Sequence, residues 1–217
     1  MSETDHPGGA AGADGVGAVS GVGSGSPAGG GVGSPASPGV GSPASPGVGT
    51  PAGGEAVRAV VAAQLGRPPR AMRRVAHLCS CGLPDVVDTA PRLPDGTPFP
   101  TLYYLTCPRA AAAVGRLESG GLMRQMNERL AANPDLAARY AAAHDDYLRR
   151  RDDTELLPGD PGVGGMPGRV KCLHALVAHS LAAGPAVNPL GDEALSLLPD
   201  WGAGGPCVEV PRPGGRP

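Results

Sequence analysis

The first 54 residues contain no lysine, no arginine and no aromatic residue, and across all 217 residues lysine, phenylalanine and tryptophan occur once each. A segment with so little to bury cannot offset the entropy of ordering it. It carries instead an eight-residue repeat, SPASPGVG, at Ser34 to Gly41 and again at Ser42 to Gly49. Residues 1–54 are therefore expected to be a disordered, low-complexity tail rich in Gly, Pro and Ser. The chain also lacks a basic excess. All 18 Lys and Arg lie beyond residue 54 with 17 of the 20 Asp and Glu, leaving that part close to neutral. Bulk electrostatic capture of nucleic acid or of an anionic membrane needs a sustained positive balance and is excluded on this count. Seventeen of the 18 cations are arginine. With so much Ala, Gly and Pro this reads as GC-rich coding rather than as a choice of guanidinium for phosphate recognition.

Two further absences bear on location. No basic-then-apolar leader opens the sequence, and no run of roughly 18 apolar residues occurs, so neither export nor membrane spanning is expected and the cytoplasm is the anticipated compartment. There the five cysteines, Cys79, Cys81, Cys107, Cys172 and Cys207, are expected as thiols or metal ligands rather than as a disulfide framework.

What is present begins near Glu55. Ala56, Val57, Val60, Val61 and Leu65 recur at helical spacing until Gly66 and Pro68-Pro69 stop them. Arg74 to Leu78 and Asp85 to Thr89 read as strands around a Cys79-Ser80-Cys81-Gly82 turn, and Thr101 to Thr106 reads as a third after the Pro94-Asp95-Gly96-Thr97 turn. Pro108 suits a first helical position, Gly120-Gly121 separates the next two helices, and Asn133-Pro134-Asp135 starts another that ends at Arg149-Arg150-Arg151. A Gly/Pro-rich loop leads to a helix over 168–183, striped by Val170, Leu173, Val177 and Leu181, and Asp192 caps a short helix after the Asn188-Pro189 turn. The pattern predicts an α+β, helix-rich single domain over 55–200 with a small antiparallel sheet of about three strands, and a loose C-terminal segment over 201–217.

The peptides PRLPDGTPFPTLYYLTCP, GLMRQMNERL, MPGRVKCLHALVAHSLA and NPLGDEAL, in this order, resemble the motifs of a bacterial family catalogued as domain of unknown function 501. The resemblance spans about Val57 to Trp201. It implies one intracellular domain and carries no reaction, ligand or catalytic residue with it.

The chemistry-bearing residues concentrate in 91–107 and 164–192, and the central expectation is that the fold brings these stretches together around one hollow. The leading reading is a small anionic ligand, phosphate or carboxylate, at the N-terminus of the 168–183 helix. Gly164, Gly165 and Gly168 allow close backbone approach, first-turn N–H groups lack helical partners, and Arg92, Arg169, Lys171 and His179 supply charge or hydrogen bonds. The stretch does not have the P-loop pattern. The alternative is a metal centre, zinc being the fitting ion, drawn from Cys79, Cys81, Cys107 and either Cys172 or His174. Cys-x-Cys is a poor knuckle. Within one helix Cys172 and His174 would stand about 200° apart, so only one of them is expected to face an ion, and Cys172 and His179 would be separated by about 10 Å along the axis.

An enzyme reading gives His174 or His179 the acid–base role, with Asp95 or Asp192 as carboxylate partner and Cys172 as nucleophile beside Arg92, Arg169 and Lys171. His174 is expected at the core edge and His179 as the freer of the two. A partner-binding adaptor would use the amphipathic helices Leu122 to Leu130 and Leu136 to Tyr147, although a small domain needs such faces for its own core. Tyr103 and Tyr104 should point to opposite faces of their strand, one ring inward and one outward, which gives no strong nucleic-acid signal. Oligomeric state is not legible.

Overall fold

The computed structural model describes residues 54–153, 155–157, 159 and 162–209. The repeat tail therefore lies outside the described residues, apart from Gly54.

Helix α1 runs Glu55–Leu65 and stops where Gly66 turns left-handed at φ 66°, its N–H closing on Ala62 O, a conformation glycine adopts without Cβ strain. Strand β1, Met72–Leu78, then pairs antiparallel with β2, Pro84–Thr89, around the Cys79-Ser80-Cys81-Gly82 turn, closed by Cys79 N–H to Leu83 O at 2.8 Å and Gly82 N–H to Cys79 O at 2.8 Å. After an excursion through the Asp95-Gly96 turn, β3, Tyr103–Leu105, pairs antiparallel with β2. The sheet order is β1-β2-β3, so β3 is an edge strand.

The sheet separates two apolar clusters because successive strand residues alternate faces. Met72, Val75 and Val87 pack with Val61 under α1, and Tyr104 and Leu65 lean on them. Val86, Tyr103 and Leu105 face the larger core built by the remaining helices. These are α2 (Pro108–Ser119), α3 (Leu122–Ala132), α4 (Pro134–Asp152), α5 (Leu173–Ala183) and α6 (Pro189–Ser196). Two start on asparagine caps, as expected of that side chain: Asn133 Oδ1 accepts from Leu136 N–H at 3.0 Å, and Asn188 Oδ1 from Gly191 N–H at 3.0 Å. Helix α5 is apolar nearly all round and is sandwiched between β3, α2 and α6. The α+β class with a three-stranded antiparallel sheet is thus the observed one. No helix among the described residues is long and apolar enough to cross a membrane.

Two sequence expectations need correction. The fifth helix begins at Leu173, not near Gly168. Residues 163–172 form a loop closed on itself, with Lys171 and Cys172 N–H both reaching Gly164 O and Arg169 N–H reaching Gly165 O. Asn127 holds Val170 by both backbone groups, accepting its N–H at 2.7 Å and donating to its carbonyl at 2.9 Å. Gly165 sits at φ +94°, where a Cβ would also come within 2.6 Å of Arg169 O, so the loop requires glycine there. The second correction concerns residues 201–207, which are tied down rather than loose. Arg109 donates to Gly205 O and Pro206 O, Ser80 Oγ to Asp200 and Gln64 Nε2 to Cys207 Sγ at 3.2 Å, while Trp201 and Cys207 pack against the main core.

Candidate functional site

The start of α5 is where the two chemistry-bearing stretches meet. Cys172 precedes the helix in extended conformation, φ −149° and ψ 112°, so it does not stand two helical steps, about 200°, round the axis from His174. The expectation that only one of the pair can face an ion fails for that reason. Glu118, in the last turn of α2, reaches across to the start of α5: its Oε1 accepts Leu173 N–H at 2.7 Å and lies 3.2 Å from His174 Nδ1. The other ring nitrogen, Nε2, is 3.1 Å from Ala111 O. The Cys172 sulfur lies within 4.8 Å of the same imidazole. One ligating atom each from Glu118, Cys172 and His174 thus lies within 4.8 Å of the others.

These contacts polarise the group. The neighbouring His174 imidazole holds the Cys172 thiol below its ordinary range against the opposing effect of burial. His174 is pushed up to about 9, first by Cys172 and then by Glu118, again against burial. The pair therefore leans toward thiolate and imidazolium. His174 remains about a third exposed and Glu118 about a quarter, so the group is reachable.

Cys172 and His174 open onto a cleft of about 760 Å³. Gln64 and Leu65 of α1 form one wall, Thr101 and Tyr103 to Thr106 the β3 side, and Pro108, Ala111, Val163, Gly164, Lys171 and Ala175 the rest. The 91–107 and 164–192 stretches thus share a concavity, of a size usual for small-ligand sites.

The other sequence candidates go elsewhere. Leu173 N–H, at the first turn where an anion was expected, is already bonded to Glu118, and the N–H groups of Met166, Arg169, Lys171 and Cys172 close the preceding loop. Gly165 and Gly168 do not line the cleft, and neither does Arg169, an exposed side chain; Lys171 does. Arg92 is held at the Asp95-Gly96 turn by Glu155 and Gly96 O. His179, expected to be the freer histidine, is fully buried: its Nε2 lies 3.0 Å from Asp146 Oδ2, its Nδ1 3.3 Å from Asn188 Nδ2, and its ring stacks on Tyr103 and meets Tyr147 edge-on. Asp95 and Asp192 serve turns, accepting Thr97 and Ala186 N–H.

Cys79, Cys81 and Cys107 do not join Cys172 or His174; they gather by Cys207 instead. Cys81 N–H donates to Cys79 Sγ at 3.5 Å, and Cys207 is near enough to act on both Cys81 and Cys107. Burial pushes Cys107 up to about 11, with Cys207 adding to it. Cys79 is likewise raised by burial, whereas in Cys81 backbone N–H donors outweigh burial and lower it. No three of these four form a compact ligand group among the described residues.

The adaptor helices spend their apolar faces internally, through Leu122, Met126, Leu136, Tyr140 and Tyr147. Arg151, in the arginine run that ends α4, is 1% exposed. Glu118 is the residue sequence reasoning missed. Its signal is a carboxylate in the last turn of a helix, where the dipole disfavours negative charge and a partner outside the helix is needed.

No curated protein and no solved structure matches the chain. Residues 75–196, more than half of its length, match the family model described as Protein of unknown function (DUF501), and the chain belongs to that family.

Proposed function

We propose that Glu118, Cys172 and His174 hold a zinc ion whose fourth position faces the cleft, and that the protein uses it to bind and hydrolyse a carbonyl-bearing ligand. The observation that carries this is the convergence within 4.8 Å of a carboxylate from α2, an imidazole from α5 and a thiol from the residue just before α5. Two details support an ion over a plain hydrogen-bond network. The 3.2 Å between Glu118 Oε1 and His174 Nδ1 is long for a charge-assisted bond, usually about 2.7–2.9 Å. Two atoms bound at ~2.0–2.1 Å to one tetrahedral ion stand about 3.3 Å apart. The Nε2 contact with Ala111 O is the backbone partner that a metal-bound histidine commonly keeps. Three protein ligands leave a position for water or a substrate carbonyl, and zinc supplies Lewis acidity and a more acidic water there. Lys171, on the cleft wall, is suited to stabilising charge that develops on the carbonyl oxygen.

The full chain, refolded or purified with zinc and dialysed, should retain about one equivalent, with a thiolate-to-metal charge-transfer band when cobalt replaces zinc. Cys172→Ser and His174→Asn should each lose the metal. Less than a tenth of an equivalent in a folded wild-type protein would defeat the reading.

A second reading is favoured by the lowered Cys172 and raised His174: a thiolate nucleophile with no metal. It predicts fast alkylation of Cys172 by iodoacetamide that added zinc does not slow. The zinc reading predicts protection.

An anion at the α5 N-terminus is the weaker reading, because Glu118 holds that position.

A further inference from the structure

We infer that the ligand of this cleft is an extended peptide chain that pairs with the free edge of β3. The inference deepens the reading of the cleft as a hydrolytic zinc site by naming its substrate class.

The ladder parity decides which backbone groups face outward. Thr89 N–H bonds Leu102 O at 2.9 Å, Thr106 N–H bonds Asp85 O at 2.8 Å, and Val87 stands opposite Tyr104. These are hydrogen-bonded positions of an antiparallel ladder, so the Leu102 carbonyl, the polar groups of Tyr104 and the Thr106 N–H turn to β2. Tyr103 and Leu105 must turn theirs the other way. The Tyr147 hydroxyl accepts the N–H of Leu102. Among the described residues nothing takes the Tyr103 carbonyl or the N–H and carbonyl of Leu105. Both residues are nearly buried, at 5% and 8% exposure, and buried backbone groups are rarely left unpaired. Both line the cleft. A ligand strand exchanging two bonds with Leu105 and donating one to Tyr103 O would complete the edge, the mode by which strand addition recognises peptides.

A second observation points to a polar ligand in the same place. Thr106 Oγ1 and Gln64 Oε1 have no partner, although their residues are 2% and 7% exposed and line the cleft. Gln64 Nε2 is committed to Pro84 O at 2.6 Å and to Cys207 Sγ, which leaves the amide oxygen as the free end. Acceptors and a hydroxyl beside an open strand edge suit a chain of amides. One cation on the wall and mostly apolar neighbours do not suit a polyanion.

The test uses the zinc-loaded full chain with acetyl-trialanine hydroxamate, and acetohydroxamate as the metal-only control. The peptidyl probe should bind at least tenfold tighter and slow hydrogen exchange of the Leu105 amide at least tenfold. Methylating its amide nitrogens one at a time should cost affinity at alternate positions only, since every second N–H faces the edge. Equal affinity for the two hydroxamates with an unchanged Leu105 amide would overturn the inference and leave the zinc reading standing. A uniform methylation profile would overturn it too. If the chain takes no zinc, the zinc reading falls alone, and acetyl-trialanine methylamide then decides the edge by exchange at Leu105: slowing supports it and no slowing overturns it.

Discussion

His179 and His174 stand five residues apart on one helix and show how burial sets a histidine's task. His174 meets solvent and a carboxylate, and is pushed toward its charged form. His179 is enclosed by Tyr103, Tyr147, Asn188 and Asp146, and burial, the largest influence, moves it below its ordinary 6.5 while Asp146 works against that and Arg150 with it. A histidine whose folded pKa is depressed binds its proton more readily in the unfolded chain, so stability declines as pH falls through about 6.5 and stops declining below the folded value. Asp146, lowered from 3.8 chiefly through Arg150 and His179 despite burial, adds a loss only at more acidic pH, as the solution passes below its unfolded value. Urea unfolding between neutral and mildly acidic pH should therefore show a falling midpoint in the wild type and a flatter one in His179→Gln. Parallel slopes would mean that His179 is not neutral in the fold.

At the scale of elements, the site depends on the 163–172 loop not being helical. Had residues 168–172 continued the helix, Cys172 would have turned away from His174. Asn127 of α3 prevents this by pairing with Val170 as a neighbouring strand would. Asn127→Ala leaves the N–H and carbonyl of a residue that is 3% exposed without partners, at a cost of about 2–4 kcal/mol. We expect a lowered unfolding midpoint and at least tenfold weaker zinc binding, from a substitution on a helix that contributes no ligand. Unchanged metal affinity in a folded variant would show that the loop holds its shape without this pair. Glu118 is the reciprocal case. Glu118→Ala should cost about 1 kcal/mol of stability in the metal-free protein by uncapping Leu173 N–H, read by thermal unfolding in chelator. No loss of stability would remove its capping role.

At the scale of the molecule, residues 200–207 after α6 belong to the fold. They tie together α1 through Gln64, the β1–β2 turn through Ser80 and α2 through Arg109, and they bury part of Trp201 and Cys207. Ending the chain at Leu198 should cost roughly 2 kcal/mol or more from lost burial and hydrogen bonds, measured as a drop in the unfolding midpoint against the full chain. An unchanged midpoint would return the segment to the loose end that its Gly and Pro content suggests. Short polar segments of this kind are illegible from composition, because what orders them is a guanidinium and an amide some hundred residues earlier in the chain.

Most helices and the three strands follow from local causes that a sequence carries: apolar periodicity in α1, Pro108 at a first helical position, Asn133 as a cap, and β-favouring Leu102 to Leu105; the last helix is capped by Asn188 and not, as expected, by Asp192. The two stretches dense in polar chemistry were also legible, as were Cys172 and His174 individually. Partnership was not. Whether Cys172 and His174 face each other depends on a loop closed by Asn127. Whether His179 is free depends on two tyrosines and an aspartate from other elements, and Glu118 becomes relevant only once α2 is laid against the start of α5. The sequence by itself determined the elements, since those rest on interactions between near neighbours. The tertiary structure decided which polar atoms converge, because that depends on contacts across 50 or more residues that no local pattern encodes.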